Sequence, residues 1–497
     1  MTQERPQLPE VIERLIDPQV ASLRVVTDSS AAAGSRVAVT VQARNATGAT
    51  ATAGEGSVPL VLRGPGGHAK AGEVELSGGL GHAEIELPEP GVYRVEALMS
   101  EELWAVSDPV EVADREPQRR LYWGDIHSHI RERRAQATIS DADELMGPAT
   151  VDAALAWARD VAGVHFASVT DHDLKLTELE WEETIAACDE VTEDGRFVAF
   201  PGYEWGDSRG MAMNYGHRQV VYRSGEIAGG EQVPLLRCCE QPTHTAPGLY
   251  AGLREAVSLE DVLVVPHHTA RGGGNTWMNW DYFDPELERC CEIYSIWGSS
   301  EMMGEPYPIR YIATGGYFGT AEARGHHLQD GLARGCRFGF TGGSESHDGR
   351  PARPLIHGRE LIAESDQLWP PGITGVWAER LSRDAVFDAL RARRCYGTTG
   401  ARIIVRFSLG DAAMGEEVAA EQLSAPVELT AEAIGTAAIR RCELVRSNQV
   451  IDAASSGNEH LTAQFMDGSR PHPGDFYYLR ITQADGEMAW ASPIFIT

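Results

Sequence analysis

Tyr122-Trp-Gly-Asp-Ile-His-Ser-His129 decides how this chain is read. Its first half suits a buried strand, and it ends on two histidines two residues apart. Residues i and i+2 of a strand share a face, so His127 and His129 present two imidazoles side by side at a strand's carboxyl end. The same pattern recurs downstream. Val169-Thr-Asp-His172 ends on Asp171 and His172, and Phe200-Pro-Gly-Tyr-Glu204 ends on Glu204. Val264-Val-Pro-His-His268 supplies His267 and His268, Thr341-Gly-Gly-Ser-Glu-Ser-His347 supplies Glu345 and His347, and His217 lies in the apolar run 215–222.

Outward from these motifs, the apolar runs 164–169, 197–201, 262–266 and 338–342 read as buried parallel strands. Between and after them, apolar spacing predicts helices over 151–160, 176–190 and 384–394. Strand–helix alternation from 121 to about 397 points to an α/β barrel or a doubly wound sheet. Before it, residues 20–113 alternate apolar and polar positions between turn residues, as in Val37-Ala-Val-Thr-Val41 and Val92-Tyr-Arg-Val-Glu96. Short strands of that kind predict a β-sandwich. Residues 114–120 read as a linker. The β pattern returns from Arg402, with Ile403-Ile-Val-Arg-Phe407 and Phe476-Tyr-Tyr-Leu-Arg-Ile481. The expected division is an N-terminal sandwich over 1–116, a catalytic unit over 117–400 and a second sandwich over 401–497.

Composition narrows the function. The chain has 497 residues, 42% hydrophobic and 23% charged, with a formal net charge of −30. Its length suits about three domains, and so acidic a surface argues against nucleic acid and anionic membranes as partners. No apolar run is long enough to span a bilayer, and the N-terminus has no secretory pattern. The eight cysteines are scattered without a Cys-x-x-Cys pair, which predicts a reducing, cytoplasmic setting. Phosphate-binding Gly-rich loops and a Gly-x-Ser-x-Gly elbow are missing.

Chemistry concentrates in the centre, where 12 of the 16 histidines fall between His127 and His357. A single buried histidine is usually a hydrogen-bonded core residue, and His165, His244, His326, His327 and His357 carry only that expectation. Five strand ends that each deliver His or Glu predict a metal cluster instead. Nitrogen and oxygen donors favour zinc, manganese or iron over calcium. Seven or eight ligands exceed what one ion takes, so two or three divalent metals are expected, with Glu204 as the bridging carboxylate. Arg131, Arg133 and Arg134 read mainly as a solvated charge run. Arg218 and Arg271 stand next to candidate ligands, where guanidinium groups would suit phosphate oxygens. The loop 272–280 is either a lid carrying Trp277 and Trp280 or a loop simply packed by them.

Taken in order, Asp125-Ile-His-Ser-His129, Thr170-Asp-His172, Gly202-Tyr-Glu204, His217, Pro266-His267 and Glu345-Ser-His347 resemble the polymerase and histidinol phosphatase (PHP) superfamily. Trp123-Gly-Asp125, Tyr396-Gly-Thr-Thr-Gly400 and the C-terminal run 478–494 resemble a large bacterial branch of it with an extra C-terminal β domain. The resemblance implies a distorted (β/α)7 barrel, here flanked by the two β-sandwiches, and phosphoester hydrolysis. It implies that His127, His129, Glu204 and Glu345 hold one metal, and that Glu204 bridges to a second completed by His217 and His267. A third metal would use His172 and His347 with a histidine soon after His129, and here none follows. Asp141 takes that role, or the third site is weak or empty. Glu345 stands where aspartate is usual. His268 is a neighbour of the ligands, a substrate contact, or the ligand in place of His267, and Asp171 orients a ligand.

The expectation is thus a cytoplasmic metal-dependent hydrolase, foremost a phosphoesterase using a hydroxide held between metals. Glu204, His268, Arg271 and Arg218 take the catalytic roles, and the substrate is a small organic phosphoester. Homo-oligomerisation stays open. Two rivals remain: hydrolysis of a C–N or C–O bond in an amide, lactone or cyclic ester, and a non-catalytic binding or scaffold protein with a structural metal.

Overall fold

The computed structural model describes residues 8–130, 147–206, 215–272, 276–304, 306–312, 318–320, 322–357, 360–362 and 368–497. Asp141 and Arg131, Arg133 and Arg134 lie outside them. The fold is mixed α/β and rich in sheet.

Near the N-terminus, the strands Ser22–Thr27, Arg36–Arg44 and Leu80–Glu86 pair antiparallel. A second sheet joins Ser30–Ala32, Val110–Ala113, Gly91–Leu98, Gly56–Gly64 and Gly67–Leu76. Alternation puts Val39, Val41, Leu60, Val95 and Val112 into one core cluster, as a period of two requires when one face of each sheet is covered.

The central strands are shorter than their apolar runs suggest. Arg120–Asp125 pairs parallel with Phe166–Ala167, which pairs parallel with Val198–Ala199. The run 164–169 yields only two ladder residues because the chain beyond them turns to serve the loops: the Ser128 hydroxyl donates to Ser168 O (3.0 Å), and Thr170 N to Ser128 O (2.7 Å). Gly202–Trp205, Arg218–Tyr222 and Val262–Pro266 form a separate antiparallel sheet, whereas the run 262–266 was expected to be a parallel strand. Cys290–Ser295 pairs parallel with Gly339–Gly342. Among the described residues the hydrogen-bonded ladders do not join into one closed barrel.

The helices Glu178–Val191, Ala246–Ala256 and Arg383–Arg391 pack on these strands. Thr177 and Glu180 cap the first of them reciprocally, each side chain holding the other's backbone N–H, so two otherwise orphaned donors are satisfied. The helix expected over 151–160 begins as Val151–Ala156 and widens to a π-helical turn over Trp157–Ala162.

One sheet crosses residue 400. Arg120–Asp125 pairs with Ile373–Ala378, that strand with Cys395–Thr398, and Cys395–Thr398 with Met488–Ala491 of the C-terminal region. A four-stranded sheet including Ile404–Leu409, Val427–Ile434 and His460–Asp467 shares a core with it, in which Val405, Leu429 and Leu461 pack with Leu479, Ile481 and Trp123.

Candidate metal centre

The His-x-His motif leaves its strand at Asp125 and is fixed by what Asp125 accepts. That buried carboxylate takes hydrogen bonds from the Ser344 hydroxyl (2.5 Å), Ala352 N (2.6 Å), His127 N (3.0 Å) and Ser344 N (3.1 Å). His129 N donates to Ser346 O and Glu345 N to His127 O. One carboxylate therefore ties the first histidine loop to the loop carrying Glu345 and His347. Gly343 is needed for this approach: a Cβ there would lie 2.1 Å from Glu292 Oε2 and 2.9 Å from His127 Cβ.

Glu204 sits at the centre, fully buried, in the strand Gly202–Trp205. Its two oxygens face different histidines. Oε2 lies 3.2 Å from His129 Nε2 and 3.7 Å from His127 Nε2. Oε1 contacts His217 Nδ1 and lies 3.1 Å from His267 Nε2 and 3.7 Å from His172 Nδ1. Potential ligand atoms converge in three overlapping groups: His127, His129 and Glu204; His127, His267 and Glu345; and Glu204, His217, His267 and His268.

Seven side chains thus meet, including both His267 and His268. His172 and His347 flank them, their rings 5.2 and 4.8 Å from that of His129. His172 Nδ1 bonds Gly206 O, and His347 Nδ1 bonds Glu345 O. Each points one nitrogen at backbone, which fixes the ring.

The charge states of Glu204 and of most of the imidazoles suit metal binding. Burial pushes Glu204 toward neutrality, but His172, His267 and His217 outweigh it and hold the carboxylate well below its ordinary range. Burial pushes His129 down to about 3 and holds His267, His268 and His347 well below the usual imidazole value. Anionic carboxylate and neutral imidazole are the ligating forms. His127 is also opposed by burial, yet Glu292 and Glu345 keep its pKa well above normal. Three buried carboxylates, Glu204, Glu292 and Glu345, crowd this space, and burial lifts Glu345 to about 7.

Divalent cations fit these residues. Buried nitrogens without a hydrogen-bond partner include His127 Nε2, both nitrogens of His129 and of His268, His217 Nε2 and His267 Nδ1. Leaving that many polar atoms unsatisfied costs roughly 1–3 kcal/mol apiece, and a cation satisfies several at once. Separations of 3.1–3.7 Å between imidazole and carboxylate atoms match the edge of about 3.3 Å between ligands on a tetrahedral ion with bonds near 2.0–2.1 Å. Backbone strain marks the same place, since His268 and Glu345 adopt φ of +32° and +47°. Such conformations cost about 1–3 kcal/mol each in non-glycine residues.

Sequence reasoning missed Glu292. It lies in the otherwise uncharged strand Cys290–Ser295, and its Oε2 accepts from His127 Nδ1 (2.9 Å) and Gln219 Nε2 (3.2 Å). This is the carboxylate–imidazole arrangement that aims a ligand's other nitrogen. A lone acid in an apolar strand run was the available signal. Ser295 similarly holds Glu345, donating to Oε2 at 2.9 Å. His357, expected to be a plain core histidine, packs 4.8 Å from the His347 ring and 5.2 Å from Trp297. Asp171 accepts from Ile130 N (2.9 Å), so it braces the chain just after His129.

One expectation is corrected, and one open alternative is decided. Arg218 follows His217 on a strand, so it points to the opposite face. There it is wholly buried against Glu288 (2.7 Å), Tyr250 (2.7 Å) and backbone carbonyls of Tyr215 and Gly216; it does not reach the cluster. Trp280 is no lid residue: it stacks on Phe338 at 5.5 Å in the core, while Trp277 packs on His326 at 4.1 Å. Arg271 does stand beside the cluster, its guanidinium 4.3 Å over the Trp297 ring and close enough to His268 and Glu345 to shift both electrostatically.

Comparison with known proteins adds relatives. Proteins described as uncharacterised from Chlamydia pneumoniae and Chlamydia trachomatis are 26% and 27% identical over 82% of this chain, which spans 62% of their length. A two-domain protein of Bacteroides vulgatus, described as containing a predicted PHP-like metal-dependent phosphoesterase, is 10% identical with a TM-score of 0.34, covering 76% of this chain and 96% of its own. A family model described as protein of unknown function (DUF3604) matches residues 149–303 and 352–460.

Proposed function

We propose that this chain, which belongs to the DUF3604 family of proteins of unknown function, is a metal-dependent hydrolase of PHP type, with phosphoesters as its foremost substrate class. One observation carries the reading: the two oxygens of buried Glu204 face two different sets of imidazoles. A carboxylate facing two imidazole sets in this way supports the reading that it would be shared by a pair of cations. When bound, zinc, manganese or iron would acidify a water and polarise the oxygen of the bond to be cleaved.

The chain's own residues supply the rest. Glu204, with His127 and His129 on one side and His217 and His267 on the other, would hold the pair; Glu345 and His268 complete the surround. Glu292 fixes the His127 ring. Arg271, stacked on Trp297, is the group placed to bind charge on a substrate oxygen. A third ion beside His172 and His347 belongs to the proposal only as an extension.

The same proposal has the short central strands as a distorted barrel within 117–400, sandwich regions 1–116 and 401–497 beside it, and the chain in the cytoplasm. The free state of all eight cysteines supports that setting; no helix among the described residues is long and apolar enough to cross a membrane.

Elemental analysis with a substrate panel tests the reading. Two or three transition-metal ions per chain and metal-dependent turnover of phosphate mono-, di- or triesters are expected. Turnover confined to amides and lactones would overturn the phosphoester class. A metal-free chain with full activity would overturn the whole proposal.

A further inference from the structure

A groove of about 400 Å³ lies where the linker, the strands Ile373–Ala378 and Cys395–Thr398, and the C-terminal sheet meet. Its apolar surface comes from Trp377, Phe407, Met414 and Pro117, and its cations are Arg119, Arg394 and Arg406. Trp377 pairs with Leu121 at the start of the strand Arg120–Asp125. Six residues of extended chain separate Leu121 from His127, about 20 Å, so this groove is remote from the metal centre.

The three arginines differ. Arg406 is committed: it bonds Glu111 and Glu432 and stacks 4.5 Å over Trp377. Arg119 and Arg394 have no ion pair or side-chain hydrogen bond among the described residues, and the Nε of each is buried and unsatisfied. Burial first, and then the neighbouring charge of Arg119, hold Arg394 below its ordinary value, although Glu379, Glu416 and Asp388 oppose the shift without hydrogen-bonding it. The groove also holds the Glu432 carboxylate, which Arg406 occupies, so Arg119 and Arg394 are its two guanidinium groups without a hydrogen-bonded carboxylate among the described residues. Both line the groove.

We propose that this groove binds a small amphipathic anion, a carboxylate or phosphate carried on an apolar or aromatic body. Arg119 and Arg394 take the oxygens in forked hydrogen bonds, and Phe407, Met414 and the Trp377 edge cover the body. The volume lies within the ordinary range for small-molecule pockets.

Calorimetric titration of the intact, metal-loaded protein with benzoate, phenylphosphonate and inorganic phosphate tests it. Benzoate and phenylphosphonate are expected to bind with Kd at or below about 1 mM. The double variant Arg119→Ala/Arg394→Ala should weaken benzoate at least tenfold, and in a Glu204→Gln background, which disrupts the metal centre, it should weaken phenylphosphonate as much; Glu204→Gln alone leaves benzoate binding unchanged. If the alanine variant misfolds by circular dichroism, Arg119→Gln/Arg394→Gln keeps the stems and is expected to show the same loss. Unaltered benzoate binding by a folded double variant, loss of benzoate binding in Glu204→Gln, or inorganic phosphate binding as tightly as phenylphosphonate to Glu204→Gln protein would each overturn the proposal.

Discussion

His217 and Arg218 are neighbours in the chain and belong to two buried polar clusters of opposite character. On one face of their strand, Arg218 bonds Glu288, Tyr250, two carbonyls and the sulfur of Met278 (3.1 Å). Tyr250 and Asp284 N satisfy Glu288 in turn. That cluster is complete within the protein. On the other face, His217 joins a set of imidazoles and carboxylates in which many nitrogens have no partner. Burial is equal on both sides, so burial does not distinguish a brace from a binding site. Satisfaction does: a buried polar group is kept either because its neighbours complete it or because something from outside will.

The sharpest way to break this contrast is to neutralise Glu204. Glu204→Gln keeps the shape but removes the charge that His127, His129, His172, His217 and His267 face. Loss of bound metal is expected, with turnover falling by about 10³-fold or more, since metal catalysis supplies several kcal/mol. Far-ultraviolet circular dichroism should stay unchanged, because the cluster is not what closes the core. A variant that still carries its full metal complement would remove Glu204 from the centre of the site.

Arg218→Ala is the opposite case. It strands the Glu288 carboxylate in the core, and breaking a buried pair in this way costs about 3–5 kcal/mol. Urea unfolding should show that loss, while protein folded at low temperature retains its metal. A loss of metal without a loss of stability would mean that Arg218 serves the site after all.

Glu292→Gln probes the boundary between the two kinds of cluster, because Glu292 is satisfied on Oε2 by His127 and Gln219 yet works through a candidate ligand. Outer carboxylates of this kind are worth roughly 10–100-fold in metal affinity or activity. Competition with a chromophoric chelator should find a drop of that size, with stoichiometry preserved at saturating metal. An unchanged affinity would make Glu292 part of the core only.

These two faces also explain what the sequence could convey. Histidines and glutamates at strand ends announce themselves because a polar residue closing an apolar run has few structural reasons to be there, and His127, His129, Glu204, His217, His267, His268 and Glu345 do converge. Arg218 misled because adjacency in sequence was taken for adjacency in space, whereas a strand sends neighbours to opposite faces. Glu292 was hidden in Cys290–Ser295, where one acid does not disturb an apolar pattern. Strand lengths and pairing depend on contacts far along the chain: the pairing of Gly397 with Trp490, which carries one sheet past residue 400, has no local signature.

The smallest expected effect comes from a polar pair that is neither fully buried nor incomplete. Asp28 meets His165 at 2.9 Å between the N-terminal region and the centre, with the carboxylate side chain 31% exposed. Burial pushes the Asp28 pKa up, but His165, Arg120 and Arg402 more than offset this, and the net shift is downward. A depressed carboxylate pKa stabilises the fold above the unfolded value of about 3.9 and ceases to do so as pH falls through the folded value. Asp28→Asn should therefore cost about 1 kcal/mol or less at pH 7. Urea titrations should show the gap between wild type and variant closing as pH falls below about 4. Because the pair is partly open to water, added salt should narrow the gap at pH 7 as well, which it should not do for Arg218. A gap that widened on acidification would mean that the Asp28 carboxyl is held by burial rather than by its partners.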